Sequence, residues 1–291
     1  MGMDLKPWAR PIGLYFDWLK RRDIDAARRV ACRLDSSDDA TAEGAAAEAL
    51  VWDFLDNREL EIGLAETDHG GPDFRCDGSY GGFFVEVTNI SRQTVSRETN
   101  LPEESGGPRF YATLTRQIKN EILAKATQFA DRDLHGPLVI FVTTLHSHAS
   151  ALCIQRHHVE ELLVSSRSVS LLWDPETADA VGRPFQSTDM AFSLATKARS
   201  LETTRQHISG VVVAGFGFRP PQFEARGALM PTPQYPFDPR ALIDVDFCRF
   251  CVWPPIGELR LEWLDLARPA KTRSDPKLEH IARRILDEAG E

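Results

Sequence analysis

The sequence predicts an α/β fold whose core runs helix, three strands, helix, strand, and three observations predict it. A proline-free, alanine-rich stretch from Thr41 to Asn57 carries Ala47, Val51, Phe54 and Leu55 at helical spacing. Two short extended runs flank Asp77-Gly78-Ser79-Tyr80-Gly81-Gly82, the pattern of a hairpin. The apolar, β-branched run Leu138 to Thr144 has the composition of a strand at the centre of a sheet.

In chain order, Ile12 to Arg33 suggests one or two amphipathic helices, and Ser36-Ser37-Asp38-Asp39 is a polar break rich in capping residues. On the helix that follows, a wheel at about 100° per residue sets Glu48 beside Val51 and Leu55 at the edge of the apolar arc, where it can face inward. Strands are expected at Leu60 to Ala65, Asp73 to Cys76 and Phe83 to Ile90. Alternation puts Phe84, Glu86 and Thr88 on one face of the third and Phe83, Val85 and Val87 on the other. Counting outward from a turn centred between Ser79 and Tyr80 sets Asp73 opposite Glu86, within cross-strand reach unless a bulge shifts the register.

Ser91 to Pro108 reads as a long mobile loop. Phe110 to Arg132 reads as a helix with a buried stripe of Leu114, Ile118, Ile122 and Phe129. Lys125 lies inside that stripe, flanked by Glu121 and Gln128, while Lys119 points away. A lysine on an apolar face is costly without a partner. Farther on, Val159 to Val164 and Ala191 to His207 suggest helices, Val211 to Phe218 a buried strand, and Arg219 to Pro239 a proline-rich loop. Phe247 to Trp253 and Leu259 to Leu264 suggest strands, and Asp275-Pro276 caps a last amphipathic helix with Leu278, Ile281, Ile285 and Leu286. Three units follow: an N-terminal helical arm (1–38), a core domain (39–218), and a loop, strands and C-terminal helix that pack on the core (219–291).

At 291 residues the chain is long enough to bury an ample core. No run reaches the apolar length of a membrane span and no secretory layout stands at the N-terminus, so a cytoplasmic protein without a membrane partner is expected. The five cysteines are scattered and do not form a disulfide framework. A net charge of −9 argues against coating nucleic acid by bulk electrostatics. Lys20, Arg21, Arg22, Arg28, Arg29 and Arg33 nevertheless cluster, as a solvated helical face or as a basic arm that would suit a phosphodiester.

Pro72-Asp73 and Glu86-Val87-Thr88, with Glu48 upstream and Lys125 and Gln128 downstream, resemble the PD-(D/E)XK nuclease superfamily over roughly Ala40 to Leu145, about a third of the chain. The resemblance implies a restriction-endonuclease-like αβββαβ core with a central mixed sheet flanked by helices, joined here by N-terminal helices and a C-terminal α+β extension. It implies a metal site of Asp73, Glu86 and the Val87 carbonyl, with Glu48 orienting a water at the metal or helping to hold a second ion. Mg²⁺ or Mn²⁺ would be the cofactor, since Mg²⁺ takes one or two carboxylates and keeps several waters. The family's lysine is replaced by Thr88, an uncharged donor. Lys125 has the reach to supply that charge from the helix, with Thr88 and Gln128 as supporting polar groups.

The expected function is therefore metal-dependent hydrolysis of nucleic acid, DNA being the usual substrate of the fold. The alternative is an inactive descendant that acts as an interaction or scaffold module, as a homodimer or with a protein partner through the C-terminal helix. Three other signals are weaker. His146-Ser147-His148 with His157-His158 offers imidazoles at zinc-compatible spacings, or capping and surface residues. Cys248-Arg249-Phe250-Cys251 is a lone CxxC in a strand-like run, read as buried structural thiols. Ala214-Gly215-Phe216-Gly217-Phe218 lacks the third glycine and the helix of a nucleotide-binding turn.

Overall fold

A computed structural model describes residues 5–66, 70–99, 111–132, 134–146, 149–150, 155–163, 169–173, 180–186, 193–195, 201–203, 205–216, 224–253 and 260–266. Two helices, α1 (Ala9–Arg22) and α2 (Ile24–Leu34), lead into the core; Asp23 caps α2 by accepting the N–H groups of Asp25 and Ala26 at 2.9 Å. The polar break then starts α3 (Asp39–Asp56), with Asp38 accepting from the Thr41 N–H at 3.2 Å and its hydroxyl at 2.6 Å. Next come β1 (Glu61–Leu64), β2 (Phe74–Asp77), β3 (Phe83–Asn89), α4 (Arg92–Thr99), α5 (Tyr111–Phe129), β4 (Leu138–Thr144) and α6 (Arg156–Leu163). Two separate ribbons follow, β5 (Val169–Trp173) with β6 (Ala180–Gln186) and β7 (Ser193–Ala195) with β8 (Leu201–Thr203). The chain returns to the main sheet as β9 (Gly210–Gly215), β10 (Glu224–Leu229), β11 (Asp246–Phe250) and β12 (Leu261–Trp263).

The main sheet has eight strands in the order β1-β2-β3-β4-β9-β10-β11-β12. It is mixed: β3, β4 and β9 run parallel at its centre, and β1 and β2 pair antiparallel outside β3. The α/β class is therefore as expected. Strand alternation sends Val139, Phe141, Val212 and Ala214 to one face, in a core shared with Tyr15, Trp18, Trp52 and Leu55 from α1 and α3. Ile140, Val142, Val211 and Val213 face the other way, toward Ile118, Ile122 and Ala126 of α5 and Val159 and Leu162 of α6. Burying each large apolar side chain contributes roughly 1.5–3 kcal/mol. The double-sided cover explains why β4 and β9 are apolar throughout.

Three expectations need correction. Within the loop expected at Ser91 to Pro108, Arg92–Thr99 is helical, because its first N–H groups are satisfied: Glu43 accepts from Arg92 at 2.8 Å and the Ser91 hydroxyl accepts from Thr94 at 3.1 Å. Within Ala191 to His207, read as one helix, Ser193–Ala195 and Leu201–Thr203 are strands whose ladder supplies backbone hydrogen bonds that local periodicity does not foresee. Within the proline-rich loop Arg219 to Pro239, Glu224–Leu229 is a strand; the prolines fall on either side of it and leave its N–H groups free to pair with β9. Gly227 there admits the Phe247 ring into the space a Cβ would occupy. The expected C-terminal helix and the Leu114 side chain lie outside the described residues. Among the described residues no helix is long and apolar enough to cross a membrane.

Candidate functional site

The β2–β3 ladder pairs Phe74 with Val85, Arg75 with Phe84 and Cys76 with Phe83, a register that, continued by one residue, sets Asp73 opposite Glu86. At that point β2 has not yet begun, and the Asp73 side chain takes over the edge of β3: its Oδ2 accepts the Val87 N–H at 2.6 Å. The N–H groups of Phe84 and Ile90 turn toward β4, bonding to the carbonyls of Pro137 and Thr143. By strand alternation Val87 therefore presents both its N–H and its carbonyl on the Asp73 side. Gly71 lets the chain reach this position, since a Cβ there would stand 2.7 Å from the Ala65 carbonyl oxygen.

Glu86 is 3% exposed and faces α5, from which Lys125 places Nζ 2.5 Å from Oε1. Gln128 Oε1 accepts from the same ammonium at 3.2 Å. One helical turn earlier, Glu121 Oε2 accepts from the Thr88 hydroxyl at 2.8 Å. Two strand residues two apart thus meet two helix residues four apart, and Lys125 and Thr88 each gain a carboxylate partner. Glu48 comes from the opposite layer, on α3, with Oε1 2.6 Å from Arg33 Nη2. The start of β2 is where the two helical layers reach the same point.

Electrostatics follow from crowding. Burial raises the Asp73 carboxyl well above the usual carboxylate range, and the neighbouring Glu48 and Glu86 charges raise it further, against the Val87 N–H and Lys125. Burial also raises Glu86, opposed by Lys125, and Glu48, opposed by Arg33. The Tyr15 hydroxyl on α1 is pushed up as well, by burial first and then by Glu48 and Asp73.

Among the described residues no group of three or more His, Cys, Asp or Glu side chains is already drawn together as a cage for an ion. The donors at hand are Asp73, Glu86 and the Val87 carbonyl, the sparse oxygen set that suits a hydrated Mg²⁺ or Mn²⁺. Glu86 Oε2 is buried without a hydrogen-bond partner, a costly state for a carboxylate oxygen that a cation would relieve. The residues present fit a divalent cation.

The structure brings together all the residues singled out from the sequence: Asp73, Glu86, Val87 and Lys125 directly, Gln128 through Lys125, Thr88 through Glu121, and Glu48 through its field on Asp73. Tyr15 was missed and Arg33 was noted only within a basic cluster, because only the packing of α1 and α2 on α3 brings them in. Glu66, exposed, adds a further negative field on Glu48 and Glu86. Glu121 left a signal, standing one turn from Lys125 on the same stripe.

The weaker signals fall only partly among the described residues. His146 is fully buried, and its Nδ1 accepts the Ala149 N–H at 3.2 Å; His148 and the side chains of His157 and His158 lie outside the described residues. Of the CxxC, Cys248 is buried, its thiol pushed up to about 12 by burial, but Cys251 is exposed beyond the end of β11, which corrects the expectation of two buried thiols. Gly215 packs against Ser150, leaving no room for a Cβ. Comparison with protein-family models, curated proteins and solved structures returned no match.

Proposed function

We propose that this chain is a Mg²⁺- or Mn²⁺-dependent phosphodiesterase that cuts nucleic acid, DNA by preference, from a restriction-endonuclease-like core with a variant PD-(D/E)XT site. The observation that carries this reading is the Lys125–Glu86 contact, because it puts a positive charge beside the Asp73 and Glu86 carboxylates although Thr88 stands where the family has lysine. Asp73, Glu86 and the Val87 carbonyl would hold the cation. When bound, the cation supplies Lewis acidity, neutralising charge on the phosphoryl oxygens and acidifying water.

The remaining work falls to the side chains. Lys125 has three N–H donors; two are directed to Glu86 and Gln128, and the third is left for a phosphoryl oxygen as negative charge develops there. Gln128 and Glu86 together fix the ammonium so that little reorganisation accompanies reaction. Glu48, partly covered and paired with Arg33, orients the attacking water. Thr88 holds Glu121 on α5, which keeps that carboxylate from competing for Lys125.

The test is cleavage of labelled single-stranded DNA, duplex DNA and RNA with Mg²⁺ or Mn²⁺. The expected outcome is metal-dependent cutting of DNA, abolished by Glu86→Ala and slowed by roughly 10²–10³-fold by Lys125→Ala, the usual cost of losing one preorganised electrostatic group. Cutting that persists in Glu86→Ala would place the chemistry elsewhere, and preferential cutting of RNA would reassign the substrate. A wild-type protein that cuts none of these and gains no stability from metal would instead be an inactive scaffold.

A further inference from the structure

We propose that Arg33 grips the phosphodiester next to the bond being cut, an assignment that rests on the nuclease reading above. Helix α2 carries Arg33 across α3 so that Nη2 lies 2.6 Å from Glu48 Oε1. The two partners are unequally covered: the Glu48 side chain is 13% exposed and that of Arg33 38%. One end of the guanidinium is engaged by a covered carboxylate, while more than a third of the Arg33 side chain stays open to solvent. A guanidinium offers five N–H donors in a rigid fork that matches phosphate, so one contact leaves most of its donors for a ligand. Gly44 lies alongside, where a Cβ would stand 3.6 Å from Nη2, at ordinary contact distance.

Charge balance leads to the same assignment. With all three ionised, the carboxylates nearest the cation position, Glu48, Asp73 and Glu86, outnumber Lys125 and Arg33 by one negative charge, Glu121 being turned to Thr88 one helical turn away. A divalent cation reverses this to one net positive charge, which matches the single negative charge of a phosphodiester. Without Arg33 the loaded site is neutral and loses its pull on the substrate. Glu66 is exposed, so water and salt screen its charge.

Arg33→Ala therefore pushes two measurements in opposite directions. Removing a cation next to the carboxylates lets metal bind more tightly, while DNA binds less tightly; a merely structural arginine would weaken both. Metal binding is read from the Mg²⁺ dependence of the melting temperature. DNA binding is read from the fluorescence anisotropy of a labelled short duplex and its single strand, with Ca²⁺ replacing Mg²⁺ and gels confirming uncut DNA.

For Arg33→Ala the expected result is half-maximal stabilisation at lower Mg²⁺ and DNA affinity lower by about tenfold, the scale of one lost charge-assisted contact. The slope of log affinity against log salt should shrink by about 1. Arg33→Lys, which keeps the charge but loses the fork, should match wild type in metal and fall between the two in DNA affinity. Unchanged DNA affinity in Arg33→Ala, or a parallel loss of metal and DNA binding, overturns the Arg33 assignment while leaving a metal-responsive wild type intact. A wild type that does not respond to metal overturns the nuclease reading and this inference with it.

Discussion

Asp73 holds its proton more tightly than an ordinary carboxyl, because it is buried between Glu48 and Glu86. Its folded pKa lies above the unfolded value of about 3.8, so in the window between them the native state keeps a proton that the unfolded chain has released. The stability this group contributes is therefore complete below the unfolded value and falls as pH rises through the folded one. Metal binding at Asp73 would have the opposite dependence, since the carboxylate must lose that proton to become a ligand. Metal-free Asp73→Asn should accordingly melt higher than wild type at about pH 8, with the gap narrowing toward about pH 4, as calorimetry would show. The asparagine oxygen can still accept the Val87 N–H, so the loop stays in place. A variant no more stable than wild type at the higher pH would mean that Asp73 is not under this strain.

At the scale of elements, the site depends on the start of β2 and on the crossing of β3 by α5. The hairpin was legible in the sequence because its short turn fixes the register: counting outward from Ser79 and Tyr80 leads to Phe74 facing Val85, as observed. Lys125 was legible as an anomaly, a charged group in an apolar stripe that needed a partner. The Arg33–Glu48 pair was not, because helical periodicity says which face of α2 and α3 is apolar but not how the two helices cross. Nor was β10, whose pairing with β9 and β11 depends on residues distant in the chain. Gly71→Ala tests the β2 entry, since the added methyl would meet the Ala65 carbonyl at 2.7 Å. It should cost about 1–3 kcal/mol by chemical denaturation and weaken the metal response by displacing Asp73. Wild-type stability and metal response in that variant would show that the close approach does not position the site.

For the whole molecule, the arrangement is an eight-stranded sheet between two helical layers, with the site where both layers meet the start of β2. Lys125 approaches from one side and Arg33 with Glu48 from the other, so neither layer alone completes the constellation. Against the chain's net charge of −9, Lys125 and Arg33 are held here beside covered carboxylates, and with a divalent cation bound they would favour an anionic ligand at this point although the surface as a whole repels one. The most direct test of the central claim, that Asp73 and Glu86 hold a divalent cation, is the melting temperature of wild type and Asp73→Asn titrated with Mg²⁺ and Mn²⁺. A ligand bound only by the folded state must raise it, by an amount that grows with metal concentration. The account predicts a metal-dependent rise in wild type and none in Asp73→Asn. A flat wild-type curve at millimolar metal, or an equal rise in both proteins, would contradict it.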